Sequence, residues 1–110
     1  MIDWNRAAEL REEVGAEDFA EVIELFLDEF DEAIQHLAEA TSAQDIEGQL
    51  HFLKGSALNI GFCAFAALCQ TCEASAALGQ IETIDLAEIT RAYWEARQAF
   101  LAQSDQMLAA

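Results

Sequence analysis

Apolar residues recur along this chain at spacings of three and four, and polar or glycine positions interrupt the recurrence. The clearest run is Phe19, Val22, Ile23, Phe26, Phe30, Ile34 and Leu37, with Glu21, Asp28, Asp31, Glu32 and Glu39 on the other face. One apolar stripe opposite an acidic one predicts an amphipathic helix over roughly 17–40. An earlier segment, roughly 3–14, has Asp3 as N-cap and Gly15 as stop. A third starts near Ser42, where Asp45 three residues on gives a variant capping box. Its core stripe is Ile46, Leu50, Leu53, Ala57 and Ile60, and Gly61 ends it. The fourth, roughly 63–78, turns Phe65, Leu68, Cys69, Cys72 and Ala76 inward and stops at Gly79. The fifth, roughly 85–107, does the same with Leu86, Ile89, Tyr93, Ala96 and Phe100. Short joins between the last four segments favour antiparallel neighbours. The expected fold is all-α: an antiparallel up-down four-helix bundle with an additional N-terminal helix, one free-standing domain over residues 1–110.

Composition agrees with the pattern. The chain has no proline, and its alanine, leucine and glutamate favour helix. Charge adds a constraint on partners. A net charge of −16 leaves nothing to neutralise a phosphate backbone or an anionic membrane, so neither nucleic acid nor membrane is an expected partner. The same acidity favours a soluble monomer. The first residues lack the basic start and apolar core of a signal peptide, and the nearly apolar run from Ala57 to Cys69 is too short to span a bilayer. The expected location is the cytoplasm. Cys63, Cys69 and Cys72 are odd in number and close together, which fits reduced, packed thiols better than a disulfide framework. Cys69 and Cys72 have no second pair to complete a zinc site, and neither histidine follows a glutamate at the spacing of a di-iron bundle, so no metal is expected.

The stretch LHFLKGSALNIGF, Leu50 to Phe62, departs from plain packing. With the core stripe centred between Leu50 and Leu53, His51 points away from the core, and Gly48 and Gly55 share its outward strip. Each mid-helix glycine costs about 0.5–1 kcal/mol relative to alanine, and nothing in folding requires that cost on an exposed face. Glycine does help another molecule approach the imidazole closely. Lys54, the only lysine, sits at i+3 and brings a mobile point charge suited to phosphate; Ser56 and Asn59 add hydrogen-bonding capacity on a neighbouring flank. A neutral imidazole nitrogen is a competent nucleophile toward phosphorus. The chain carries no Gly-rich phosphate loop, so the phosphoryl group has to come from a partner protein. Phe52 and Leu58 fall partly outside the core stripe and are expected, with Gly48 and Asn59, to form a docking patch around His51. Phe62 also leaves the stripe, and packing accounts for it.

The stretch HFLKGSALNIG, followed by LCQTCE from Leu68 to Glu73, resembles the signature of histidine-containing phosphotransfer (HPt) domains of two-component phosphorelays. Length, helix layout and acidity extend the resemblance over nearly the whole chain. Cys72 departs from it, standing where leucine is more usual, a difference that touches packing. The resemblance implies that His51 accepts a phosphoryl group from a receiver-domain aspartate and passes it to another receiver. It implies as partners the receiver domains of hybrid histidine kinases and response regulators, with magnesium on the receiver and no cofactor on this chain. Lys54 and Gly55 match the family's lysine and glycine, Ser56 its hydroxyl position, and Asn59 and Gly61 its asparagine and helix-ending glycine. Many members also use a glutamine on the preceding helix to orient the imidazole, for which Gln35 is the candidate. The expected phosphorylated atom is Nε2, at the tip of the side chain. Such a protein is a phosphotransfer intermediate with no kinase activity of its own. The alternative from another class is a non-catalytic helical interaction module that uses the same surface without phosphate. A third, an acidic nucleic-acid mimic, rests on charge alone.

Overall fold

The computed structural model describes residues 1–109. The described residues form five α-helices: α1 (Trp4–Val14), α2 (Phe19–Glu39), α3 (Ala43–Ile60), α4 (Cys63–Ala77) and α5 (Leu86–Met107). A single 3-10 turn, Ile81–Thr83, lies in the join between α4 and α5, and no strand occurs among the described residues. None of the helices is long and apolar enough to cross a membrane.

The helices begin where side chains can satisfy free backbone N–H groups. Asp3 caps α1 by accepting from Arg6 N, Ser42 caps α3 by accepting from Asp45 N at 3.1 Å, and Asp85 caps α5 by accepting from Glu88 N at 3.1 Å. Helix α2 starts without a side-chain cap. Its stripe is turned slightly from the one the spacing predicts: Leu27 and Ala33 are buried, while Val22 and Phe26 are only half-buried.

Helix α3 packs against α2 and α4, α5 touches both α4 and α2, and α1 lies against α2 and α3, adding Ala7 and Leu10 to the same core. Aromatic rings fill the centre. Phe30 stacks on Phe62 with centroids 5.6 Å apart and meets Phe65 and Tyr93, and Phe100 meets both Phe62 and Trp4. Phe62 is fully buried, so its place outside the α3 stripe reflects packing. Burying a side chain of this size is worth about 1.5–3 kcal/mol. Polar contacts tie α2 to α5 as well: the Tyr93 hydroxyl donates to Asp31 Oδ1 at 2.6 Å, and Arg97 Nε lies 3.7 Å from the same oxygen.

The turn from α3 to α4 sets the end of the helix that carries His51. Gly61 takes φ +96°, and its N–H and that of Phe62 both return to Ala57 O. Its carbonyl accepts from Asp3 N at 2.7 Å, and a Cβ at this position would stand 2.6 Å from Asp3 O. Only glycine meets both the left-handed backbone and the close approach of the chain before α1. Arg6 on α1 completes the joint by donating Nε to Asn59 O at 2.9 Å.

Candidate functional site

His51 stands near the middle of α3, with Leu50 and Leu53 beside it at zero exposure. The buried stripe fixes the helix rotation and so turns the imidazole outward, where its side chain is 71% exposed. Gly48 and Gly55, one turn to either side, are exposed, and a Cβ on either would meet nothing within 4 Å. Phe52 and Leu58 are exposed large apolar side chains on the same helix, at 43% and 56%. From Gly48 through Cys72 the chain holds no acidic residue, although 21 lie elsewhere. The outer face of α3 around the imidazole is therefore free of acidic side chains of its own, in an otherwise acidic protein.

The imidazole is held from α4. Glu73 Oε2 lies 2.9 Å from His51 Nδ1, and Glu73 Oε1 lies 2.7 Å from Lys54 Nζ. Lys54 also donates to Gln70 Oε1 at 3.0 Å. One carboxylate thus bridges two α3 side chains a turn apart, while an amide one turn earlier on α4 takes a third contact. The Glu73 and Lys54 side chains are largely buried between the helices. The Lys54 ammonium holds the Glu73 carboxyl below the ordinary glutamate range; partial burial opposes this, and the His51 contact adds to it. In the neutral ring, an ionised Glu73 favours the tautomer with the proton on Nδ1, which leaves the Nε2 lone pair directed at solvent. Nε2 has no hydrogen-bond partner among the described residues.

One sequence expectation needs correction. Gln35 does not reach His51. It lies on the other side of α2, in a shallow groove with Asp31, Ala38, Thr90 and Trp94, so the group on the imidazole is Glu73, on the helix that follows α3. The carboxylate partner of Lys54 is the same Glu73. Asn59 is exposed, and its carbonyl and side-chain oxygens accept from Arg6 at 2.9 and 3.4 Å. Ser56 is half-buried and lies about 140° around the helix from His51. It makes no hydrogen bond to His51 or Lys54 among the described residues.

Other reactive groups stay apart from the site or are quiet. His36 faces Asp45 at 3.5 Å across the join of α2 and α3, with both side chains exposed. Burial pushes the Cys69 thiol up to about 12 and raises Cys72 as well, so neither is a ready thiolate. Among the described residues no cluster of histidine, cysteine, aspartate or glutamate is arranged to hold a metal ion.

Glu73 and Gln70 escape the sequence reading because they sit 22 and 16 residues from the side chains they contact. The available signal was the spacing of three between them on α4, which places both on one face.

No curated protein and no solved structure gives a significant match to the chain. A protein-family model does: the Hpt domain matches residues 21–110, which takes in α3, α4 and α5 whole and nearly all of α2, and leaves α1 outside. With most of the chain inside that match, the chain belongs to the Hpt domain family, whose members are histidine phosphocarriers of phosphorelays.

Proposed function

We propose that this protein is a phosphorelay intermediate in which His51 Nε2 accepts a phosphoryl group from a receiver-domain aspartate and returns or forwards it to another, on an antiparallel four-helix bundle with α1 as an addition. The observation that carries this reading is the pairing of an exposed Nε2 with an Nδ1 held by Glu73 at 2.9 Å.

The chemistry follows from that pairing. The Nε2 lone pair attacks phosphorus as the bond from phosphorus to the aspartyl oxygen breaks, and the bonding electrons leave with the aspartate carboxylate. No proton has to move. Nδ1 keeps its hydrogen, and the ring gains positive charge as the new N–P bond forms. The ionised Glu73 opposes that charge from 2.9 Å. Lys54 lies a turn away on the same helix, close enough for its ammonium to turn from Glu73 to a phosphoryl oxygen. Gly48 and Gly55 leave the approach to Nε2 open, and Phe52 and Leu58 offer apolar area to a transient partner. Magnesium belongs to the receiver in this scheme, and this chain needs no cofactor.

The test is transfer from a phosphorylated receiver domain with magnesium, scored as acid-labile, base-stable phosphate on the peptide containing His51. His51→Gln, run alongside, folds and takes no label. Label on that variant overturns the site. A folded wild-type protein that takes no label from a full panel of receivers is a non-catalytic interaction module.

A further inference from the structure

Lys54 is bound by two groups of different charge, and only one of them neutralises it. Glu73 Oε1 pairs with the ammonium at 2.7 Å, and Gln70 Oε1 accepts from it at 3.0 Å. The lysine side chain is 21% exposed, low for a residue type that normally extends into water. Gln70 and Glu73 stand one turn apart on α4, so together they hold the ammonium against the flank of α3 beside His51.

We propose that Gln70 is a positioning residue for Lys54 in phosphoryl transfer, an inference that rests on the reading of His51 as the phosphate carrier. A carboxylate alone would be a poor holder. When a phosphoryl group arrives at Nε2, the ammonium has to give up part of its pairing with Glu73 to meet the new negative charge. Glu73 meanwhile is drawn toward the ring, which is becoming positive. An ammonium freed from Glu73 and held by nothing else would swing into water on its four-carbon stem, at an entropic cost to be met again in each transfer. The Gln70 amide oxygen keeps one of the three N–H groups without removing any charge, and the other two remain for phosphate and for Glu73. Gln70 touches neither His51 nor the expected position of the phosphoryl group, so its effect passes through Lys54.

Two measurements on the full chain test this. The first is the rate of phosphoryl transfer to His51 in wild type, Gln70→Ala, Lys54→Ala and the double variant. Gln70→Ala slows transfer by about fivefold, the scale of one ordinary lost hydrogen bond. In the Lys54→Ala background the same change has no further effect. The second uses the fact that Lys54 is the only lysine. Its acetylation by a limiting amine-reactive ester is followed by peptide mapping, with the N-terminal amine as internal reference. Gln70→Ala speeds acetylation of Lys54 by about fivefold relative to that reference. Unchanged transfer and unchanged acetylation overturn the proposal, and so does a loss of transfer that is equally large without Lys54, since that marks a structural role. If wild type takes no phosphate, the phosphocarrier reading falls, and with it the role of Gln70 toward phosphate. The acetylation arm then still decides whether Gln70 holds the lysine.

Discussion

The Glu73 carboxylate on α4 stands 2.9 Å from Nδ1 of His51 on α3. In the neutral ring this contact favours the proton on Nδ1 and the lone pair on Nε2. Glu73→Ala removes the acceptor, so the imidazole returns toward the Nε2–H tautomer that free histidine prefers. Nitrogen NMR shifts of His51 report that change directly. Phosphate acceptance falls by about tenfold, since a hydrogen bond to a charged group is worth roughly 1.5–3 kcal/mol. Glu73→Gln keeps an oxygen acceptor without the charge and falls between wild type and the alanine variant. An unchanged tautomer ratio in Glu73→Ala would show that the contact does not set the ring.

The same carboxyl makes stability depend on pH. Its folded value lies below the ordinary glutamate range, chiefly through Lys54. A depressed acid contributes stability fully above its unfolded value and loses it as pH falls through the folded one. The difference in denaturation midpoint between wild type and Glu73→Gln is therefore largest at neutral pH. It shrinks on acidification below the ordinary glutamate range. A gap that stays constant down to that region would mean the pairing contributes nothing to folding.

Glycines in and at the end of α3 separate function from folding. Gly55 has open space around it and a helical neighbourhood, so Gly55→Ala raises stability by about 0.5–1 kcal/mol in urea unfolding. It slows transfer from a receiver because a methyl group now stands one turn from His51. Gly61→Ala does the reverse. Its Cβ meets Asp3 O at 2.6 Å on a backbone with φ +96°, and the expected loss is about 2–3 kcal/mol. Equal effects from the two substitutions would contradict this division.

Tyr93→Phe tests the tie between α2 and α5. The hydroxyl donates to Asp31 Oδ1 at 2.6 Å, while the ring packs against Phe30 and Phe65. Phenylalanine keeps the ring contacts and loses the hydrogen bond. The Asp31 side chain is 36% exposed and can turn to water, so the loss in unfolding free energy is about 1 kcal/mol. Transfer to His51 is unaffected, because both residues lie away from the α3–α4 face.

Local periodicity was enough to place the five helices. The α3 stripe of Ile46, Leu50, Leu53, Ala57 and Ile60 is buried as a set, and burial of that stripe alone turns His51 to solvent. Caps at Asp3 and Ser42 are legible because a cap bonds a backbone group three residues away. The HFLKG stretch likewise keeps its histidine, lysine and glycine on one helix, where spacing governs proximity. Spacing is silent about contacts between helices. Whether Gln35, Glu73 or any other polar residue reaches the imidazole depends on how α2 and α4 are rotated and slid against α3. The apolar pattern fixes each rotation only to within a side chain, as the shift from Val22 and Phe26 to Leu27 on α2 demonstrates. Tertiary packing made that choice. It put Gln35 in the groove beside Trp94, tied Asn59 to Arg6, and brought Glu73 and Gln70 against His51 and Lys54. The sequence by itself determined which residue faces outward to react, because that follows from one helix burying its apolar side. The structure alone decided what holds that residue, because side chains from two helices meet only once the core has set their register.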